Sequence, residues 1–123
     1  NARKGEIAVM HDALRLMRQE VANGQAPRRG DEAFHVAIAK ACGNDVLTDM
    51  VQRTWEARDG AVFERLGQHF ENPVAWQKAI DEHEAVLHAI ELHDVSGARR
   101  AMQVHLRNAT KRYSASWKRP VAA

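Results

Sequence analysis

Apolar residues recur along the chain at the step of a helix. Ile7, Met10, Leu14, Met17 and Val21 stand three, four, three and four apart, one stripe of an amphipathic helix that Asn23-Gly24 should end. Residues 23–30, with Pro27 and Gly30, read as a loop. Asp31 then opens a second helix, with Phe34, Ile38 and Ala41 inward and Gly43-Asn44 as its stop. Asp45 caps a third, whose apolar face is Val46, Leu47, Met50, Val51 and Trp55, and which Asp59-Gly60 breaks or bends. Phe63, Leu66 and Phe70 predict more helix, ended by Glu71-Asn72-Pro73. Past Pro73 the same step returns in Trp76, Ile80, His83, Leu87 and Ile90, so one histidine falls inside an apolar stripe. After His93-Asp94-Val95-Ser96 a last long helix sets Ala98, Ala101, Met102, His105, Ala109 and Tyr113 on one side and fades near Trp117 to Pro120. A second histidine thus faces inward. No strand-like alternation, repeat or low-complexity tract occurs, and the sequence predicts an all-α fold of five or six helices.

Composition narrows this to one domain, 1–123, because 123 residues suffice for one core and not for two of ordinary size. A hydrophobic fraction of 45% with three prolines and seven glycines favours packed helices over disorder. The net charge of +2, interleaved except near Arg107 to Arg119, is too weak a footprint for DNA binding by this chain. Cys42 is the only cysteine, which excludes an internal disulfide and a multi-thiolate zinc site and fits a reducing cytoplasm. No apolar run approaches a membrane span, and Asn1-Ala2-Arg3-Lys4 does not lead into a secretory segment. With no initiating Met, a fragment of something longer is expected.

The inward histidines change the picture from packing to chemistry. Asp31 and His35 are four apart at a helix start, a spacing that stacks side chains on one face and lets them share one metal ion. His83 and His105 each stand 11 residues from Asp94, so a hairpin there brings them face to face. Three imidazoles and one carboxylate form a borderline N/O donor set suited to Zn foremost, and to Ni, Co, Mn or Fe, with positions left for water or a small carboxylate. Each residue also has a plainer reading. A histidine on an apolar stripe is commonly a hydrogen-bonded core residue, Asp31 can serve only as an N-cap, and His35 can simply follow Phe34 inward. His11, His69, His88 and His93 are read as structural or solvent-facing, His93 at a helix end.

The run Asp31-Glu32-Ala33-Phe34-His35, with Ala37-Ile38-Ala39 and Gly43-Asn44-Asp45-Val46-Leu47, resembles the opening metal-ligand motif of the FCD domain, the C-terminal ligand-binding domain of FadR-type regulators in the GntR family. Asp81-Glu82-His83-Glu84-Ala85-Val86-Leu87, then Asp94 and Ala98, then Met102-Gln103-Val104-His105-Leu106 continue the resemblance in the family's order over nearly the whole chain. It implies an antiparallel helical bundle with a central metal held by Asp31, His35, His83 and His105, and beside it a pocket for a small organic acid. Trp55-Glu56-Ala57-Arg58 with Trp76 is similar to the hexuronate-responsive subgroup, which implies a sugar acid as effector. Arg53 and Arg58 are candidate effector contacts, because a guanidinium matches a carboxylate with two prongs; a solvated helix face is the other reading.

Against the family's pattern, the winged-helix DNA-binding domain is missing ahead of the chain and the usual first helix of the domain is expected to be truncated. The expected role is effector sensing in a cytoplasmic homodimer that touches DNA only through that missing domain. A metal-dependent hydrolase is the principal alternative, since such a site can activate water. The His11-Asp12 and His93-Asp94 pairs sit poorly on inward stripes, and no general base or phosphate-cradling loop accompanies the ligands. A dimerisation module with no ligand is the third reading.

Overall fold

The computed structural model describes residues 4–58 and 72–118, and the side chains of all of these but 57, 58 and 112–118. Among these residues five helices follow in order: α1 (Lys4–Ala22), α2 (Arg28–Ala41), α3 (Asp45–Arg58), α4 (Pro73–Glu91) and α5 (Val95–Lys118). There is no strand among the described residues. The helix expected at Phe63, Leu66 and Phe70 lies outside them, as does His69.

Short turns fold α1 against α2 and α4 against α5, and α1 also packs on α4, so the two hairpins close an antiparallel bundle. Met10, Leu14 and Met17 of α1, Phe34 and Ala37 of α2, and Ile80, Val86 and Leu87 of α4 form one buried cluster, with Ala101 and Met102 of α5 against it. Burial of each large side chain contributes about 1.5–3 kcal/mol, so this cluster carries the fold; the inward stripes read from α1, α2, α4 and α5 account for most of its members, while Ala37 and Val86 join it from beside those stripes.

Two residues let α1 and α2 meet closely. A Cβ at Gly30 would stand 2.5 Å from the Met17 backbone nitrogen and 2.8 Å from the Ala13 carbonyl oxygen, so only glycine fits that crossing. Glu20, buried in α1, accepts hydrogen bonds from the amides of Gly30 at 2.7 Å and Arg29 at 3.2 Å. This cross-helix carboxylate corrects the sequence reading. α2 starts at Arg28 rather than Asp31, because Glu20 satisfies first-turn amides that would otherwise need a local cap. Asp31 therefore lies inside the first turn, with its carboxylate released for other partners.

Asn44, and not the expected Asp45, caps α3, its side-chain oxygen accepting from the Leu47 amide at 3.0 Å. The inner stripe of α3 also differs from expectation. Thr48, Val51, Gln52 and Trp55 are half-buried, whereas Val46 and Met50 are 70% and 61% exposed. α3 packs chiefly on α2, and that contact turns only Val51 and Trp55 of the expected face inward, together with the polar Thr48 and Gln52. Asn72 caps α4 through the Ala75 amide at 3.0 Å, and Asp94 caps α5 through the Gly97 amide at 2.9 Å.

Candidate metal centre

Three helices deliver one side-chain cluster. Asp31 comes from the first turn of α2 and His35 from the next turn, while His83 and His105 come from α4 and α5. One ligand atom from each of the four lies within 4.8 Å of all the others. Asp31 Oδ1 is the hub, 2.8 Å from His83 Nε2 and 3.2 Å from His35 Nε2. The rings of His83 and His105 meet at 4.4 Å between centroids, as their equal distance from Asp94 predicts, and His35 lies 5.0 and 5.5 Å from them. His83 is 1% exposed and His105 7%. Phe34, edge-on to His83 at 4.7 Å, forms an apolar floor.

Hydrogen bonds at the outer nitrogens fix how these rings face one another. His83 Nδ1 lies 2.6 Å from the Ala79 carbonyl oxygen, which can only accept, so Nδ1 carries the proton. The lone pair of the neutral ring is then on Nε2, pointed at a carboxylate oxygen. Two acceptors at 2.8 Å repel unless a proton or a cation lies between them. His105 repeats the pattern: Nδ1 donates to Glu82 Oε1 at 2.7 Å, which leaves Nε2 for a ligand bond. Burial pushes the His105 imidazole below its ordinary value, and although the Glu82 hydrogen bond opposes this, His83 and His35 add to it, so the ring is held neutral. Burial by itself would raise the Asp31 carboxyl, but the hydrogen bonds and charges of His35 and His83 outweigh it and hold Asp31 well below the usual carboxylate range. An ionised carboxylate facing imidazole nitrogens, with the outer nitrogens of His83 and His105 satisfied, suits a divalent borderline cation that would take the place of a proton there, and the residues present fit such an ion.

Several contributors escape the sequence. Trp55, read as part of an apolar face and of the subgroup resemblance but not as a partner of the ligands, donates its indole N–H to Asp31 Oδ2 at 3.3 Å and stacks on His35 at 4.6 Å. Glu82 and Asn108 form an outer layer, with Asn108 Nδ2 donating to Glu82 Oε2 at 2.9 Å. Their only signal was adjacency to His83 and a helical step from His105. The Trp76 indole N–H is buried without a hydrogen-bond partner among the described residues.

Arg53 is exposed and pairs with Asp49 at 3.0 Å, and the Arg58 side chain lies outside the described residues. Of the remaining histidines, His11 pairs with Glu91 at 2.8 Å near the surface, His88 is exposed, and His93 takes a positive φ of 54° in the turn between α4 and α5.

The FCD domain family matches residues 1–108. Among curated proteins, the chain is 29% identical over 114 residues to the Uxu operon transcriptional regulator of Escherichia coli strain K12, covering 90% of this chain and 44% of that protein. It is 30% identical over 102 residues to the Exu regulon transcriptional regulator of the same strain, covering 79% and 39%. It is 26% identical over 110 residues to the HTH-type transcriptional regulator LutR of Bacillus subtilis strain 168, covering 85% and 48%. The chain thus spans less than half the length of each of these relatives, and all three carry a regulator's name. No solved structure gives a significant match.

Proposed function

Because this chain belongs to the FCD domain family, we propose that it is the effector-sensing domain of a bacterial transcription regulator, with Asp31, His35, His83 and His105 holding one divalent metal ion beside a pocket for a small organic acid. The observation that carries this reading is the convergence of four donor atoms from α2, α4 and α5 within 4.8 Å. Zinc is the first candidate, with nickel, cobalt, manganese and iron behind it. Such an ion would supply Lewis acidity and open coordination positions for a carboxylate oxygen.

The chain's own residues do the rest. Asp31 supplies the negative charge, the three imidazoles supply neutral donors, and Phe34 with the surrounding core keeps water from the inner side. Trp76, two turns before His83 on the same stripe of α4 and about 10 Å away along the axis, offers an unsatisfied N–H that an effector oxygen would complete. Arg53 and Arg58 are the proposed carboxylate partners, and Arg53 would give up Asp49 to serve. A sugar acid is the first candidate effector, supported by the resemblance to the hexuronate-responsive subgroup and by the relatives named for Uxu and Exu genes. In the whole regulator, filling the site would tie α2, α4 and α5 together and alter how DNA-binding domains are presented in a cytoplasmic homodimer.

Elemental analysis of the purified chain, followed by calorimetric titration of the metal-loaded protein with sugar acids and hydroxy acids, tests both halves. One metal per chain and saturable binding of a small carboxylate are expected. Absence of any bound divalent metal overturns the metal assignment, and a loaded protein that binds none of the acids overturns the sensing role.

A further inference from the structure

We propose that Glu82 is a positioning residue of the metal centre, clamped by Asn108 so that it fixes His105 as the Nδ1–H tautomer, with Nε2 left unprotonated for a ligand bond. This inference rests on the metal reading above. Of the three imidazoles, His83 has its outer nitrogen held by a backbone carbonyl, which no side-chain substitution removes. His105 instead depends on a side chain. Glu82 Oε1 accepts from Nδ1 at 2.7 Å, and its other oxygen, Oε2, accepts from Asn108 Nδ2 at 2.9 Å.

The arrangement is mostly buried, with Glu82 and His105 side chains 13% and 8% exposed. A carboxylate there needs its hydrogen bonds, and satisfying both oxygens removes its freedom to turn. Glu82 and His83 are consecutive on α4, and Asn108 follows His105 by one helical step on α5. The pair of helices therefore carries ligand and support together. A carboxylate behind a metal-bound imidazole fixes ring orientation, raises donor basicity and typically contributes 10–100-fold to metal affinity.

Zinc affinity is measured by competition with a chromophoric chelator for the wild-type chain and for Glu82→Ala, Glu82→Gln and Asn108→Ala. Nitrogen-detected imidazole NMR on the metal-free proteins reads the His105 tautomer without any ion. Expected are one zinc per wild-type chain, an Nδ1–H tautomer at His105, and affinity 10–100-fold weaker in Glu82→Ala with mixed tautomers. Glu82→Gln keeps an acceptor for Nδ1–H, so it retains the tautomer and most of the affinity, which a loss of folding alone would not reproduce selectively. Should Glu82→Ala fail to fold, Asn108→Ala carries the test, with affinity several-fold weaker. Wild-type affinity in the Ala variants, or an Nε2–H tautomer in the metal-free wild type, overturns the positioning role while leaving the metal site standing. A wild type that takes up no zinc fails at the earlier step and removes both.

Discussion

Among the described residues, the carboxylates of Glu20, Asp31 and Glu82 are withdrawn from water, and each has a different set of partners. Glu20 accepts from two backbone amides at the start of α2, Asp31 accepts from an indole and faces two imidazoles, and Glu82 accepts from an imidazole and an amide. The Glu20 case is testable apart from any metal. Glu20→Ala leaves buried amides without an acceptor, and urea unfolding should report a loss of about 1–3 kcal/mol. Glu20→Gln, which keeps an acceptor, should lose less; equal losses would show that charge at the helix start, and not the hydrogen bonds, is what matters. Nothing in the sequence marks Glu20, because an acid near a helix end reads as solvated until α1 and α2 are seen to cross at Gly30. His83 and His105 were legible for the opposite reason: a polar residue on an otherwise apolar stripe breaks a pattern.

Among the elements, the turns were read more accurately than the caps. Gly24 and Gly43 take positive φ values of 74° and 71°, as the expected stops of α1 and α2 require. Asp94, however, does two things that spacing could not separate, since it marks the centre of the α4–α5 hairpin and caps α5. Asp94→Ala should lower stability by about 1 kcal/mol in thermal unfolding of the metal-free protein, and an unchanged midpoint would remove the cap from the account. α3 shows where periodicity fails. Of the expected apolar face, Val51 and Trp55 turn inward while Val46, Leu47 and Met50 stay exposed, because α2 and the site, and not average hydropathy, decide its rotation. The outer layer of the site shares that difficulty: Glu82 and Asn108 become partners only when two helices have docked.

For the whole molecule, the ligand cluster and the apolar cluster share α2 and α4 but part at α1. The four donors lie on α2, α4 and α5, whereas α1 supplies Met10, Leu14 and Met17 to the core and no ligand atom to the site. Metal present at 100 times its Kd should add about 2.7 kcal/mol to stability, roughly 10 °C in Tm for a domain of this size. His83→Ala should abolish that difference, and identical Tm values with and without chelator would contradict it. Because α1 is held by its apolar stripe and by Glu20, neither of which touches the ligand cluster, stripping the ion leaves its hold intact. The emptied domain should then persist as a folded receptacle with α5 slackened, able to be refilled without having to be rebuilt.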